Sequence, residues 1–310
     1  MTAISRYDWE ECGKGLVGSG SKGGSSTASL RRPSSSQPLS RLPSAPPSAR
    51  RNVVRPTHRL QACLYRCRAP DQIFADPRLV AIYDDIDGDR DDLDHYEAIV
   101  EELGALSVLD FGCGTGVLAC RLARRGITVI GLDPVSASLA VARAKPGADR
   151  ITWLPGDVTM LPSVVLDAVT MTGNVAQVFL HDEEWCAALV GVRWVLREGG
   201  HLVLETRNPS LRGWEEWTRD RSISVSDTVA GPVEHWVELT NVELPLVSFR
   251  HSFRFLDGGD IVTSDSTLRF RDRDEIAGSL AAVGFAVEDV RDAPDRPGRE
   301  FVFIARSVPR

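Results

Sequence analysis

The residues best suited to chemistry lie in one short run, Ser107-Val108-Leu109-Asp110-Phe111-Gly112-Cys113-Gly114-Thr115-Gly116. It reads as a buried strand that ends in an acid, turns through three alternating glycines and enters a helix near Val117. Glycine reaches positive φ at little cost and carries no Cβ, so such a backbone can press against a ligand. The helix that follows offers unpaired N–H groups at its start. Together these features suit a nucleotide-like ligand, because a turn kept for packing alone needs fewer glycines. Cys113 has no neighbour that would activate a thiolate and reads as a small spacer.

Which nucleotide is decided by the surroundings. Gly114-Thr115-Gly116-Val117-Leu118-Ala119 fits the dinucleotide pattern G-x-G-x-x-G/A, in which a pyrophosphate rests on the helix terminus. Asp110 argues the other way: a carboxylate two residues before the first glycine repels a pyrophosphate and suits an ammonium group. Ile127-Thr128-Val129-Ile130-Gly131-Leu132-Asp133 reads as a second strand, buried on both faces. Asp133, about 20 residues past the loop, can take two ribose hydroxyls of either an NAD or another adenosine cofactor. It can equally cap the segment that opens at Pro134. Ile151 to Leu154 reads as a third strand, followed by Pro155-Gly156-Asp157-Val158, and Leu166 to Thr172 as a fourth, running into Gly173-Asn174. Asp157 also reads as a turn acid, and Asn174 as a helix cap.

The run Val108 to Gly116 resembles motif I, D/E-x-G-x-G-x-G, of the class I S-adenosylmethionine (SAM)-dependent methyltransferases, and the later strand ends follow that family's order. The resemblance implies a site in which Asp110, Gly112, Cys113, Gly114 and Gly116 approach the methionine part of SAM. It implies that Asp133, followed by Pro134, meets the ribose, that Asp157 and Val158 read the adenine edge, and that Asn174 belongs to the fourth motif. Helices ahead of the first strand fold over the cofactor as a lid in many members, which singles out Tyr83 and Arg90 for contact with the SAM carboxylate. No Asn/Asp-Pro-Pro-Tyr run follows the fourth strand; Thr172-Gly173-Asn174-Val175 stands there. That departure disfavours methylation of DNA or glutamine amino groups and leaves small-molecule O, N or C acceptors.

These residues need a frame to hold them. The fold expected is α/β: a doubly wound, mostly parallel seven-stranded sheet with helices on both faces, plus a small antiparallel β insertion near the C-terminal half. Asp76 to Ile86 and Asp89 to Leu103 have helical apolar spacing and form the lid region, residues 71–105. Asp182 to Leu196 is a helix, and Gly200 to Thr206 a fifth strand that ends in Glu205-Thr206-Arg207-Asn208-Pro209. Alternation from Ser222 to Phe270, broken by turns such as Asp257-Gly258-Gly259-Asp260, predicts an antiparallel meander over residues 222–270. A helix over Asp274 to Val283 and strands at Ala286 to Val290 and Glu300 to Ala305 complete the sheet. The last strand is antiparallel, as the resemblance implies, and this counts against a dehydrogenase.

Methyl transfer needs at most a base on the acceptor, for which His181, Glu205, His235 and His251 are candidates by residue type, and Arg207 at the fifth strand's end is a further candidate catalytic residue. A lone histidine on a strand is more often structural. Six cysteines at irregular spacing form no disulfide framework in a chain of 310 residues, and Cys63 and Cys67 lack partners at metal-ligand spacing, so no metal is expected. No apolar run approaches the ~20 residues of a membrane span. Residues 1–70 hold 12 Lys and Arg against 3 Asp and Glu, whereas residues 71–310 hold 24 against 40, so the net charge turns from +9 to −16. The first segment, rich in Gly, Ser, Pro and Arg, reads as a disordered tail, and residues 71–310 as the methyltransferase domain. An acidic body disfavours a nucleic-acid partner. The expectation is a cytoplasmic, SAM-dependent enzyme acting on a small molecule. The alternatives are an NAD(P)-dependent oxidoreductase and a SAM-binding protein without turnover.

Overall fold

The computed structural model describes residues 69–309, so the expected tail over residues 1–70 lies outside the described residues apart from its last two positions. Three helices come first: α1 (Gln72–Ala75), α2 (Pro77–Asp87) and α3 (Leu93–Glu102). Asp76 starts α2 by accepting the Arg78 N–H at 2.9 Å, with Pro77 at the first helical position, and Gly88 ends it at φ 73°. The helix expected from Asp89 begins only at Leu93. Arg90 is left-handed at φ 53°, and its guanidinium clamps Asp87 and Asp92, which turns the chain between α2 and α3.

There follow β1 (Ser107–Phe111), α4 (Val117–Arg124), β2 (Thr128–Asp133), α5 (Ser136–Ala144), β3 (Thr152–Pro155), β4 (Leu166–Met171), α6 (Asp182–Val195), β5 (Leu196–Arg207) and α7 (Arg219–Ser222). The insertion contributes β6 (Ser224–Thr228), β7 (Gly231–Glu243), β8 (Leu246–Phe255) and β9 (Ile261–Arg269). The chain closes with α8 (Arg273–Ala282), β10 (Phe285–Asp292) and β11 (Glu300–Ser307). Reciprocal capping by Asp272 and Glu275 starts α8.

The main sheet has the order β3-β2-β1-β4-β5-β11-β10. Its first five strands are parallel, and β11 runs antiparallel to both β5 and β10. Chain order reverses at β1, which lies between β2 and β4; ligands of open α/β sheets gather outside the carboxyl ends of strands at such a point. Side chains alternate across the sheet. Leu109, Val169, Leu204 and Phe303 pack with Trp185 and Leu189 of α6 and Ile276 and Leu280 of α8. Val108, Ala168, Val203 and Val302 pack with Tyr96 and Ile99 of α3 and Leu118 and Leu122 of α4.

The insertion is a four-stranded antiparallel plate, β6-β7-β8-β9, as its alternation predicts. It is held at both ends. Val233, Phe253 and Val262 pack against Leu79 and Ile82 of α2, whereas Val247 joins Trp214 and Phe270. Each fully buried aliphatic side chain contributes about 1.5–3 kcal/mol, so both ends anchor the plate over the strand ends of the main sheet. Cys113 and Cys120 are free thiols. Among the described residues no helix is long and apolar enough to cross a membrane.

Candidate active site

The glycine loop between β1 and α4 is built by the protein on two sides and left open on a third. Gly112, Gly114 and Gly116 all take positive φ, at 74°, 53° and 77°. A Cβ on Gly112 would lie 2.5 Å from Val175, and one on Gly116 would lie 2.5 Å from the Trp153 ring; a Cβ on Gly114 would meet nothing within 4 Å. Packing therefore demands the outer two glycines, while the middle one combines a left-handed backbone with open space where a ligand can approach.

The loop's own donors are largely spent. Gly112 and Cys113 donate to the Leu132 carbonyl, Gly116 donates to the Cys113 carbonyl, and Gly114 donates to Asp133 Oδ2 at 2.9 Å. Asp133, buried at the end of β2, also accepts from Val135 N–H at 2.8 Å, and burial raises its carboxyl above the usual range. Asp110 is enclosed beneath the loop, where Thr170 Oγ1 and the Ala119 amide donate to it, and burial pushes it up to about 7. A pyrophosphate arriving here would meet used amides and two acids. A ligand presenting an ammonium group and ribose hydroxyls would meet acceptors, since a carboxylate holding two hydrogen bonds still has lone pairs free. Burial and the neighbouring acids raise the Cys113 thiol far above its ordinary value, so it stays protonated as a spacer.

The remaining expected cofactor residues line the same edge. Pro134 is exposed directly after Asp133. Asp157 is half-buried and accepts the Thr159 N–H at 2.8 Å, while Val158 packs so closely on α6 that a Cβ on Gly191 would reach it at 2.5 Å. Asn174 is left-handed at φ 59° and buried. Its side chain makes no helix cap; its N–H donates to Glu205 Oε1 at 2.9 Å, its Nδ2 to Glu300 Oε1 at 3.1 Å, and its Oδ1 is buried without a partner among the described residues. Tyr83 of α2 is half-buried beside Phe74, with its phenol raised by burial and by the nearby Asp87. Arg90 spends its guanidinium on Asp87 and Asp92. A further link closes the lid on the loop: Thr115 Oγ1 donates to Asp84 at 2.5 Å, and Lys145 donates to both Asp84 and the Thr115 carbonyl.

Across from this edge, at the ends of β4, β5 and β11, lies a buried polar cluster that sequence reasoning found only in part. Glu205 accepts from Tyr96 Oη as well as from Asn174, and burial together with the charge of Glu300 raises its carboxyl. Glu300 takes Arg296 at 2.8 Å and stands 4.0 Å from Arg207, whose Nη1 donates to Gln177 Oε1 at 2.9 Å. The Arg207 guanidinium lies over the Trp217 ring at 5.6 Å. Tyr96, Gln177, Arg296 and Glu300 carried no sequence signal of their own beyond an Arg-x-x-x-Glu spacing; the pairing of Glu300 with Arg207 across β11 and β5 would have exposed them.

The histidines separate. His181 is exposed at the head of α6. His235 on β7 is held by Ser224 and Ser226 hydroxyls at 3.0 and 3.1 Å. His251 on β8 lies between Phe249 and Phe253, and burial, then the charges of His235 and Arg207, pushes it down to about 4, so it is neutral at pH 7. Among the described residues no group of three His, Cys, Asp or Glu could hold a metal ion.

Known proteins match this arrangement. The profile of the methyltransferase domain family matches residues 108–200. An uncharacterized methyltransferase of Mycobacterium tuberculosis is 35% identical over 148 residues, covering 46% of this chain and 73% of the relative. The ubiquinone biosynthesis O-methyltransferase of Sodalis glossinidius is 29% identical over 191 residues, covering 48% and 77%. Among solved structures, a SAM-dependent methyltransferase from Clostridium acetobutylicum superposes with a TM-score of 0.61 at 17% identity, over 72% of this chain and 94% of its own. The CcbJ methyltransferase of Streptomyces caelestis does so with a TM-score of 0.60 at 21% identity, over 73% and 93%. The sheet order with its antiparallel closing strand, the acid-flanked glycine loop and these relatives agree, and the chain belongs to the class I SAM-dependent methyltransferases.

Proposed function

We propose that residues 71–310 transfer the methyl group of SAM to a small-molecule acceptor, with the cofactor lying along the β1–β2 edge and the acceptor under the plate of β6–β9. The observation that carries this reading is the open side of Gly114 set between Asp133 and Asp110, with the unpartnered Oδ1 of Asn174 facing the same strand ends. SAM supplies an electrophilic methyl on a sulfonium, taken by in-line displacement. What the chain adds is position and exclusion of water. Asp133 orients the ribose; Asp157 and the Val158 amide read the adenine; the loop and Asn174 receive the amino-acid end, and Tyr83 closes over it from α2. Glu205 acts through others, holding Asn174 and Tyr96 in place. The acidic domain and the name of the Sodalis relative, an O-methyltransferase of ubiquinone biosynthesis, favour a small acceptor over a nucleic acid. Family membership sets the nicotinamide alternative aside.

Calorimetric titration of the chain with S-adenosylhomocysteine tests the cofactor site. Asp133→Ala is expected to weaken binding by more than about tenfold, because it removes charge-assisted hydrogen bonds to the ribose and the loop. Unchanged affinity overturns the ribose assignment, and turnover with no acceptor from a broad panel would favour binding without catalysis.

A further inference from the structure

The side chains at the acceptor end leave a specific vacancy in hydrogen bonding. Gln177 is 1% exposed, and its Oε1 is fixed by the Arg207 Nη1 donor, which sets the orientation of the amide. Its Nε2 is therefore a donor, buried and without a partner among the described residues. Arg207 is only one-third exposed, spends one nitrogen on Gln177 and stands no nearer than 4.0 Å to Glu300. The buried Gln177 Nε2 thus has no acceptor among the described residues, and beside it Arg207 keeps donors beyond the one it gives to Gln177. Leaving such groups unpaired in a buried site is costly, so their natural occupant is an anionic oxygen. The wall is flat: Trp217 lies under the guanidinium and meets Phe249 edge-on at 4.6 Å.

Resting on the methyltransferase reading above, we infer that Arg207 and Gln177 form an anion anchor for the methyl acceptor, and that the acceptor is a small ring compound bearing a carboxylate. A planar guanidinium takes a carboxylate through two donors, with Gln177 Nε2 supplying a further one. A monoanion fits the charge of the site. Glu300 already stands 4.0 Å from Arg207, and a dianionic phosphate ester would place surplus negative charge beside it.

The test uses the full chain saturated with S-adenosylhomocysteine and titrated with matched probes: benzoate against benzamide, 4-hydroxybenzoate against 4-hydroxybenzamide, and phenyl phosphate. The acids are expected to bind at least tenfold tighter than their amides and tighter than phenyl phosphate. That preference is lost in Arg207→Gln, reduced in Gln177→Leu and partly restored in Arg207→Lys. Equal binding of acid and amide, no binding of any acid, a preference that survives Arg207→Gln, or tighter binding of phenyl phosphate overturns the inference. Affinity for S-adenosylhomocysteine, measured on the same samples, shows that each variant is folded. Failure of the unaltered chain to bind it overturns the methyltransferase reading instead, so the two failures are distinct.

Discussion

The two ends of this site are held by different means. At the β1–β2 edge the restraint is main-chain: three left-handed glycines, amides donating to the Leu132 carbonyl, and one carboxylate, Asp133, only 19 residues from the amide it holds. At the β5–β11 edge the restraint passes through side chains from distant parts of the chain. Tyr96 reaches Glu205 across 109 residues, and Asn174 reaches Glu300 across 126. Backbone geometry tolerates almost no change and accepts one ligand shape. A side-chain network can be rebuilt residue by residue while the sheet beneath it stays the same. A constant cofactor and a variable acceptor suit that division.

If the division is right, the largest effect comes from the backbone edge. Gly116→Ala must keep a left-handed residue and press a Cβ into the Trp153 ring and Ala142, which costs about 3 kcal/mol or more. Urea unfolding of the full chain measures it, and an unmoved midpoint would show that the loop yields more easily than its contacts indicate. A smaller effect is expected at the other edge. In a double-mutant cycle of Tyr96→Phe and Glu205→Gln the pair should couple by about 1–2 kcal/mol. Strict additivity would mean that the network is a set of independent contacts.

A further effect depends on pH. The folded state raises Asp110 from 3.8 to about 7, so it binds a proton that the unfolded chain has released. That contribution to stability is complete below about pH 4 and is lost as pH rises towards 7. Asp110→Asn keeps a neutral group in place, and its melting temperature is expected to exceed that of the unaltered chain at pH 8 and to match it at pH 4. A gain of equal size at both pH values would point to packing instead of charge.

The same division governs what could be read from the sequence. Glycines at positive φ, strand-end acids and the alternation of the plate are local features, and they located the loop, Asp133, all seven strands of the sheet and the insertion. The start of α3 escaped because Asp89 to Asp92 fit a helical face, while Arg90 leaves the helix to clamp two aspartates that lie one turn apart only once the chain has bent. Glu300 and Gln177 escaped for a different reason. Each is an ordinary polar residue until β11 pairs with β5 and the turn at Val175–Val178 lies beside Arg207. The histidines offer no such pairing across the sheet: His181 is exposed at a helix head, and His235 is engaged by serines.

Lys145 gives the lid an unplanned reporter. Lysine occurs at just three positions in the chain, 14, 22 and 145, so an amine-directed reagent has a single side-chain target beyond residue 22. That amine is held by Asp84 of α2 and the Thr115 carbonyl of the glycine loop, and is about one-fifth exposed. A labelling reaction at this position competes with the link itself. Its rate, read by peptide mass mapping, becomes a clock for how often α2 lifts from the loop, with no mutation or attached probe required.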